Sequence, residues 1–257
     1  MKKLLSTIAC GAVLATTASA DFARVEMGAG ALMQSPKGSI KLSDGSGALN
    51  LNGTYTSNET EATDIYIWAL IKHPIPILPN LRLEYVTVTD EGETRGSVGG
   101  LNIPTSAHTT LDSTEFDVIP YYNILDNTFW TTIDLGLDMK VIQTDSNVAI
   151  VPSTIPGASF AGYSSSDTTV VPLLYVRARV EVPFTGIGVE TDAKAITDGT
   201  DTVYDVRAKV DYTLGFIPVV QPAFEVGYRV QQLTVDDGNN QVDLNYAGVY
   251  AGLMLRF

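Results

Sequence analysis

Hydrophobic and polar residues alternate along most of this chain. The clearest run is 130–142. There Ile133, Leu135, Leu137, Met139 and Val141 share one parity, and Thr132, Asp134, Gly136, Asp138 and Lys140 share the other. A period of two marks a β-strand with one apolar face. The pattern recurs in ten segments, at 22–34, 62–73, 80–89, 112–122, 130–142, 169–183, 187–196, 203–214, 221–234 and 243–257. These predict an all-β chain of about ten strands, with eight to twelve as the range.

Parity alone fits two architectures. A soluble sandwich turns its apolar face to a core and its polar face to water. A membrane barrel turns the apolar face to lipid and the polar face to the lumen. Four features favour the closed antiparallel transmembrane β-barrel. Connections alternate between long (35–61, 90–111, 143–168) and short (Pro74–Pro79, Asn123–Asn127, Pro183–Gly186, Gly215–Val220), as external loops and periplasmic turns do. Aromatics gather at the expected periplasmic edge: Phe22, Tyr121, Tyr122, Phe129, Trp130, Phe184, Tyr212, Phe216 and Phe257. The strand number is even, so both termini share one side. Finally, strands of about ten residues tilted near ~40° span the ~25 Å apolar band. Pro120, Pro172 and Pro222 fall near segment ends, where a missing donor costs least.

The N-terminal residues give the compartment. MKKLLSTIACGAVLATTASA has Lys2 and Lys3, an apolar run, then Ala18-Ser19-Ala20. That is a secretory signal at 1–20, with the barrel domain at 21–257. The apolar run is too short to span a bilayer as a helix, and the residues before Cys10 fit a lipidation site poorly. Cys10 is the only cysteine, so the mature chain has no disulfide and no thiolate.

A family resemblance follows from three stretches. The final segment, YAGVYAGLMLRF, ends on Phe257 and resembles the C-terminal signature of bacterial outer-membrane β-barrel proteins, which the barrel-assembly machinery recognises. IWALIKHPIPILPNLRLEY, with the earlier GAGALMQSPKG, resembles a family of small, largely uncharacterised Gram-negative outer-membrane β-barrel proteins. The resemblance implies a barrel in the outer membrane, in contact with lipid and lipopolysaccharide. It carries over no catalytic residue and no cofactor.

Charge sharpens the picture. Parity turns eleven cations inward: Arg24, Lys72, Arg82, Lys140, Arg177, Arg179, Lys194, Arg207, Lys209, Arg229 and Arg256. It also turns in thirteen anions: Glu26, Asp64, Glu84, Glu115, Asp117, Asp134, Asp138, Glu181, Glu190, Asp192, Asp205, Asp211 and Glu225. A ten-stranded lumen is narrow, so these side chains are expected to meet and pair. The chain's net charge of −13 falls mostly on the external loops, through Asp44, Glu59, Glu61, Asp90, Glu91, Glu93, Asp112, Asp145, Asp167, Asp198, Asp201, Asp236, Asp237 and Asp243. An acidic rim disfavours nucleic acid. It could hold divalent cations shared with lipopolysaccharide, although DDGN at 236–239 supplies only half of a calcium loop.

Catalytic candidates are few. His73 sits at the periplasmic turn. His108 lies near Ser106, Asp112 and Ser113, the right chemistry for an activated nucleophile, in flexible Thr/Ser-rich sequence. Two histidines make a histidine-rich metal site improbable. The expected role is a structural or surface-interaction barrel with a charge-paired lumen and no enzymatic activity. A narrow, porin-like channel for small polar solutes is the alternative, and an outer-membrane hydrolase a distant one.

Overall fold

A computed structural model describes residues 23–43, 50–57, 62–75, 77–98, 101–102, 107–149, 163–197, 202–215, 219–236 and 241–257. Residues 1–22, including the expected export signal and Phe22, lie outside it, as do Phe216 and the DDGN tetrapeptide beyond Asp236. The described residues form twelve strands and no helix: β1 (Arg24–Ser43), β2 (Asn50–Ser57), β3 (Ala62–Lys72), β4 (Asn80–Val98), β5 (Leu101–Asn102), β6 (Ala107–Thr128), β7 (Thr131–Ala149), β8 (Tyr163–Val182), β9 (Ile187–Thr197), β10 (Thr202–Thr213), β11 (Gln221–Asp236) and β12 (Gln241–Arg256).

The sheet closes on itself. Neighbouring strands pair antiparallel, and β12 returns to β1 from Glu26↔Arg256 to Lys41↔Gln241. The twelve strands occupy ten lanes. β2 and β3 share one, because β1 pairs with β3 over Arg24–Gln34 and with β2 over Lys37–Ser43. β5 is a two-residue appendage of β4. Closure gives every lane two neighbours, which is what a sheet in lipid requires of its backbone donors.

The faces are inverted relative to a soluble protein. Outward positions carry exposed apolar side chains on strand after strand, such as Ile65 and Ile67, Leu135 and Leu137, Val176 and Val180, and Val249 and Leu253. Inward positions on the same strands carry buried charge, such as Asp64, Asp134 and Arg177. A continuous apolar outer surface of this extent marks a membrane-facing wall.

Several boundaries differ from the sequence reading. The stretches 35–61, 90–111 and 143–168, expected as long loops, largely continue the strands: β1 runs to Ser43, β4 to Val98 and β7 to Ala149, and β6 and β8 begin at Ala107 and Tyr163. The extensions of β4, β6, β7 and β8 are rich in Ser, Thr and Gly and lack an apolar face, so they pair without an alternation signal, whereas in β1 Gly38, Ile40 and Leu42 alternate with Lys37, Ser39, Lys41 and Ser43. Pro120 and Pro172 consequently fall inside β6 and β8 rather than near their ends. Asn123–Asn127 is not the turn. It belongs to β6, whose register to β7 shifts there, and the chain reverses at Phe129–Trp130.

The inner wall is fitted by glycine. Gly28 on β1 lies directly opposite Trp68 on β3, and a Cβ there would sit 2.4 Å from the indole Nε1. Gly136 on β7 lies opposite Tyr121 on β6. Gly30–Tyr66 and Gly227–Tyr250 repeat the pairing. At Gly28, Gly30 and Gly227 the partner's aromatic side chain lies against the cross-strand glycine, an arrangement that pins register, and at Gly136 the close approach is to the Tyr121 Cβ and Cα. Tyr121, expected in the periplasmic aromatic edge, is thereby turned inward and buried. Tyr122, Phe129, Trp130, Phe184 and Tyr212 stay exposed.

Candidate functional site: the charge-filled lumen

The inward charges converge along the barrel axis. At the barrel end where β1 starts and β12 finishes, Arg24 and Arg256 approach Glu26 from the two strands of the closing seam, with Nε at 3.2 and 3.3 Å from Oε1. Arg24 also meets Glu181 at 3.0 Å, and Arg256 meets Asp211 at 2.7 Å. Arg179 forks onto Asp211 through Nη1 and Nη2, at 2.8 and 3.0 Å, and reaches Glu181 at 3.2 Å. The bidentate form fixes geometry as well as charge. Lys72 pairs with Asp126 at 2.5 Å, outside this cluster at the strand end.

The next group centres on Glu190 of β9. Arg177, Arg179, Arg82 and Lys209 approach its carboxylate at 2.7, 3.1, 3.2 and 3.4 Å. Arg177 also bonds Asp134 at 2.6 Å, and Arg82 bonds Glu84 at 2.6 Å. Glu225 accepts from three donors: the Tyr66 hydroxyl at 2.8 Å, the Trp68 indole at 3.0 Å and Lys209 at 3.0 Å. Lys209 Nζ lies 4.2 Å from the centre of the Trp68 ring, a cation–π contact.

A third group lies farther toward the outer side. Lys140 is 3.0 Å from both Glu115 and Asp117 and 3.4 Å from Asp205. Lys194 crosses the barrel to Glu84 at 2.5 Å and also bonds Asp117. Arg229 joins Glu115 at 2.6 Å to Asp205 at 2.8 Å. Arg207 bonds Glu84 and, at 2.7 Å, Asp192. Still farther out, Asp64 accepts the Thr89 amide at 2.8 Å and Gln34 at 3.3 Å. There Leu32, Val88, Leu111, Leu244 and Tyr246 add a buried apolar cluster.

Asp138 stands apart. It is fully buried, and neither carboxylate oxygen has a hydrogen-bond partner among the described residues. Its cross-strand neighbour is Leu173.

One sequence expectation changes here. Asp90, assigned to the external rim, points inward, is buried and accepts the Tyr55 hydroxyl. Of the other acidic loop residues, Asp44, Glu59, Glu61, Asp198, Asp201 and Asp237 lie outside the described residues. Among the described residues, no group of three or more His, Cys, Asp or Glu could hold a metal ion.

The histidine candidates do not assemble either. His108 and Asp112 face outward from β6, whereas Ser113 faces inward, its hydroxyl 3.4 Å from that of Thr144. Odd and even positions of one strand cannot converge. His108 instead lies 4.0 Å from Glu91. Ser106 lies outside the described residues. His73 is engaged in the turn: its Nε2 donates to the Pro79 carbonyl at 3.0 Å, and its Nδ1 accepts the Ile75 amide at 3.2 Å.

Parity found the inward charges. It also put Tyr175, Tyr246 and Tyr250 on the polar face, and the structure adds Tyr66, Trp68 and Tyr121 to the buried inward aromatics. A further signal in the sequence was glycine of inward parity on the neighbouring strand, opposite each of these aromatics except Tyr246, whose partners are Pro36 and Gln231.

The barrel aligns with the outer-membrane protease OmpT of Escherichia coli at a TM-score of 0.56, with 11% identity, over 95% of this chain and 100% of that one. The two share a fold. The translocator domain of the autotransporter NalP from Neisseria meningitidis aligns at 0.42 with 11% identity, over 100% of this chain and 96% of that one. The outer membrane protein AlkL aligns at 0.36 with 12% identity, over 95% of this chain and 94% of that one. These structural neighbours are outer-membrane proteins, and at such identities the likeness concerns the fold alone. No family model matches the sequence, and neither does any curated protein.

Proposed function

We propose that this protein is a closed outer-membrane β-barrel of a Gram-negative bacterium, with a structural or surface-interaction role and a lumen sealed by ion pairs. The observation that carries the reading is Glu190, on which four cations from β4, β8 and β10 converge. Such a junction spans the barrel where a diffusion pore would need open space. Buried charges are retained only when paired, and breaking one pair is costly. The role proposed is not catalytic, because the one serine–histidine–aspartate candidate is split between the two faces of β6.

The rest of the reading concerns cellular context. Residues 1–20 direct export and are cleaved. Phe257 serves the barrel-assembly machinery. The apolar wall sits in outer-membrane lipid, and the acidic outer edge meets lipopolysaccharide through shared divalent cations and does not bind nucleic acid. The KHPIPILPN turn and the GAGALMQSPKG stretch support membership of the small barrel family they resemble.

Planar-bilayer recording of the purified barrel tests the sealed lumen. The expected result is no steady conductance. A large, steady conductance would replace this reading with a narrow channel for small polar solutes.

A further inference from the structure

Inside the barrel lies a cavity of about 20 Å³, room for one or two water-sized groups. Four cations stand on its wall, Arg82, Arg207, Lys209 and Arg229, and no carboxylate does. The acids that neutralise these cations, Glu84, Asp192, Asp205 and Glu225, are bonded to them from outside that wall. Most of the remaining wall is aromatic or aliphatic, including Trp68, Tyr250 and Val86.

The polar groups on the wall are therefore donors, apart from the two tyrosine hydroxyl oxygens. Water needs acceptors for its own hydrogens, whereas an anion needs only donors. One donor is also unspent: Arg229 is buried, and its Nη1 has no hydrogen-bond partner among the described residues. Buried polar atoms left this way call for an explanation.

We propose that this cavity is a binding site for a small monovalent anion of the halide class. The volume sets the size limit. A halide, close to water in size, matches room for one or two water-sized groups. The arginine and lysine groups provide charge-assisted donors, and the aromatic rings hold back competing water.

Trp68 reports on the site directly. The chain has two tryptophans, and the other, Trp130, lies exposed in the β6–β7 turn. In a Trp130→Phe barrel in detergent micelles, the indole signal comes from Trp68 alone. Bromide is titrated after overnight equilibration, with sulfate holding ionic strength constant. The expected result is saturable quenching that chloride reverses by competition. Val86→Ile adds one methylene to the wall and touches no charge. It should raise the half-saturating bromide about tenfold, the factor equivalent to ~1.4 kcal/mol of overpacking. Absent quenching, quenching that rises linearly without saturation, or an unchanged half-saturation in Val86→Ile would each overturn the assignment.

Discussion

Lys194 and Glu84 meet across the barrel, with Nζ 2.5 Å from Oε2. Their strands, β9 and β4, are four lanes apart in a ring of ten. Neither side chain has any appreciable exposure. The contact joins nearly opposite walls, so it depends on complete closure of the sheet.

That relationship makes a first prediction. Lys194→Met leaves Glu84 and Asp117 short of one cation in a confined interior, at a cost of about 3–5 kcal/mol. Lys194→Met combined with Glu84→Gln should cost less than the sum of the two single changes. Urea unfolding in lipid vesicles, followed through tryptophan emission, gives the cycle. Simple additivity would show that the two residues do not depend on each other.

The two faces of β7 make a second. Leu135 faces outward and Asp138 inward. Leu135→Arg places a cation against hydrocarbon and should lower stability in vesicles by ~2–4 kcal/mol. Asp138→Asn replaces a buried carboxyl group whose oxygens have no donor among the described residues. It should raise stability by roughly 1 kcal/mol. A loss of stability in Asp138→Asn would reveal that Lys140 or Lys194 draws on this carboxylate.

Arg177 and Arg179 supply a third. They are two long arms on one strand, bonded to Asp134, Glu190, Asp211 and Glu181. Replacing both with alanine empties volume from the lumen and leaves carboxylates in excess. A bilayer conductance above that of the wild type is expected, with selectivity for cations. A double mutant as silent as the parent would mean that other groups block the path.

Gly28 supplies a fourth. In Gly28→Ala the new methyl would occupy the position 2.4 Å from Trp68 Nε1 and 2.9 Å from Glu225 Oε1. The indole must leave its seat and lose its bond to Glu225. A red-shifted Trp68 emission in the Trp130→Phe background, with lowered resistance to urea, is the expected outcome. Unchanged emission would show that the wall yields instead of the ring.

Phe257 supplies the last. Its amide donates to the Val25 carbonyl at 2.9 Å, and the Val25 amide donates back to its carbonyl at 3.4 Å. Deleting Phe257 removes this rung from the closing seam, along with the residue proposed for assembly. The amount of heat-modifiable, membrane-inserted barrel recovered from cells should fall. Recovery equal to wild type would mean that Phe257 serves neither closure nor assembly.

The sequence by itself determined the faces. Side chains alternate across a strand with a period of two, so parity puts Leu135 and Asp134 on opposite faces before any partner is known, and the loop lengths and aromatic edge turn the apolar face outward. It also determined that the inward set carries nearly balanced charge. The outer strand extensions, from Lys37 to Ser43 and from Glu91 to Val98, escaped that reading. In 91–98 neither face is apolar, and a ladder of backbone bonds leaves no trace in side-chain type; 37–43 does alternate, with Ile40 and Leu42 on one parity, but over a run shorter than the other segments. The turn at Phe129–Trp130 escaped it too, because both residues adopt positive φ, at 52° and 61°, a conformation that bulky residues seldom report by their identity. What only the tertiary structure decided is which charges meet. Lys194 finds Glu84, and Glu190 gathers four cations, through strand order, register and closure of the ring. These set positions across the lumen, over a separation of 110 residues for the Lys194–Glu84 pair, that no local pattern encodes.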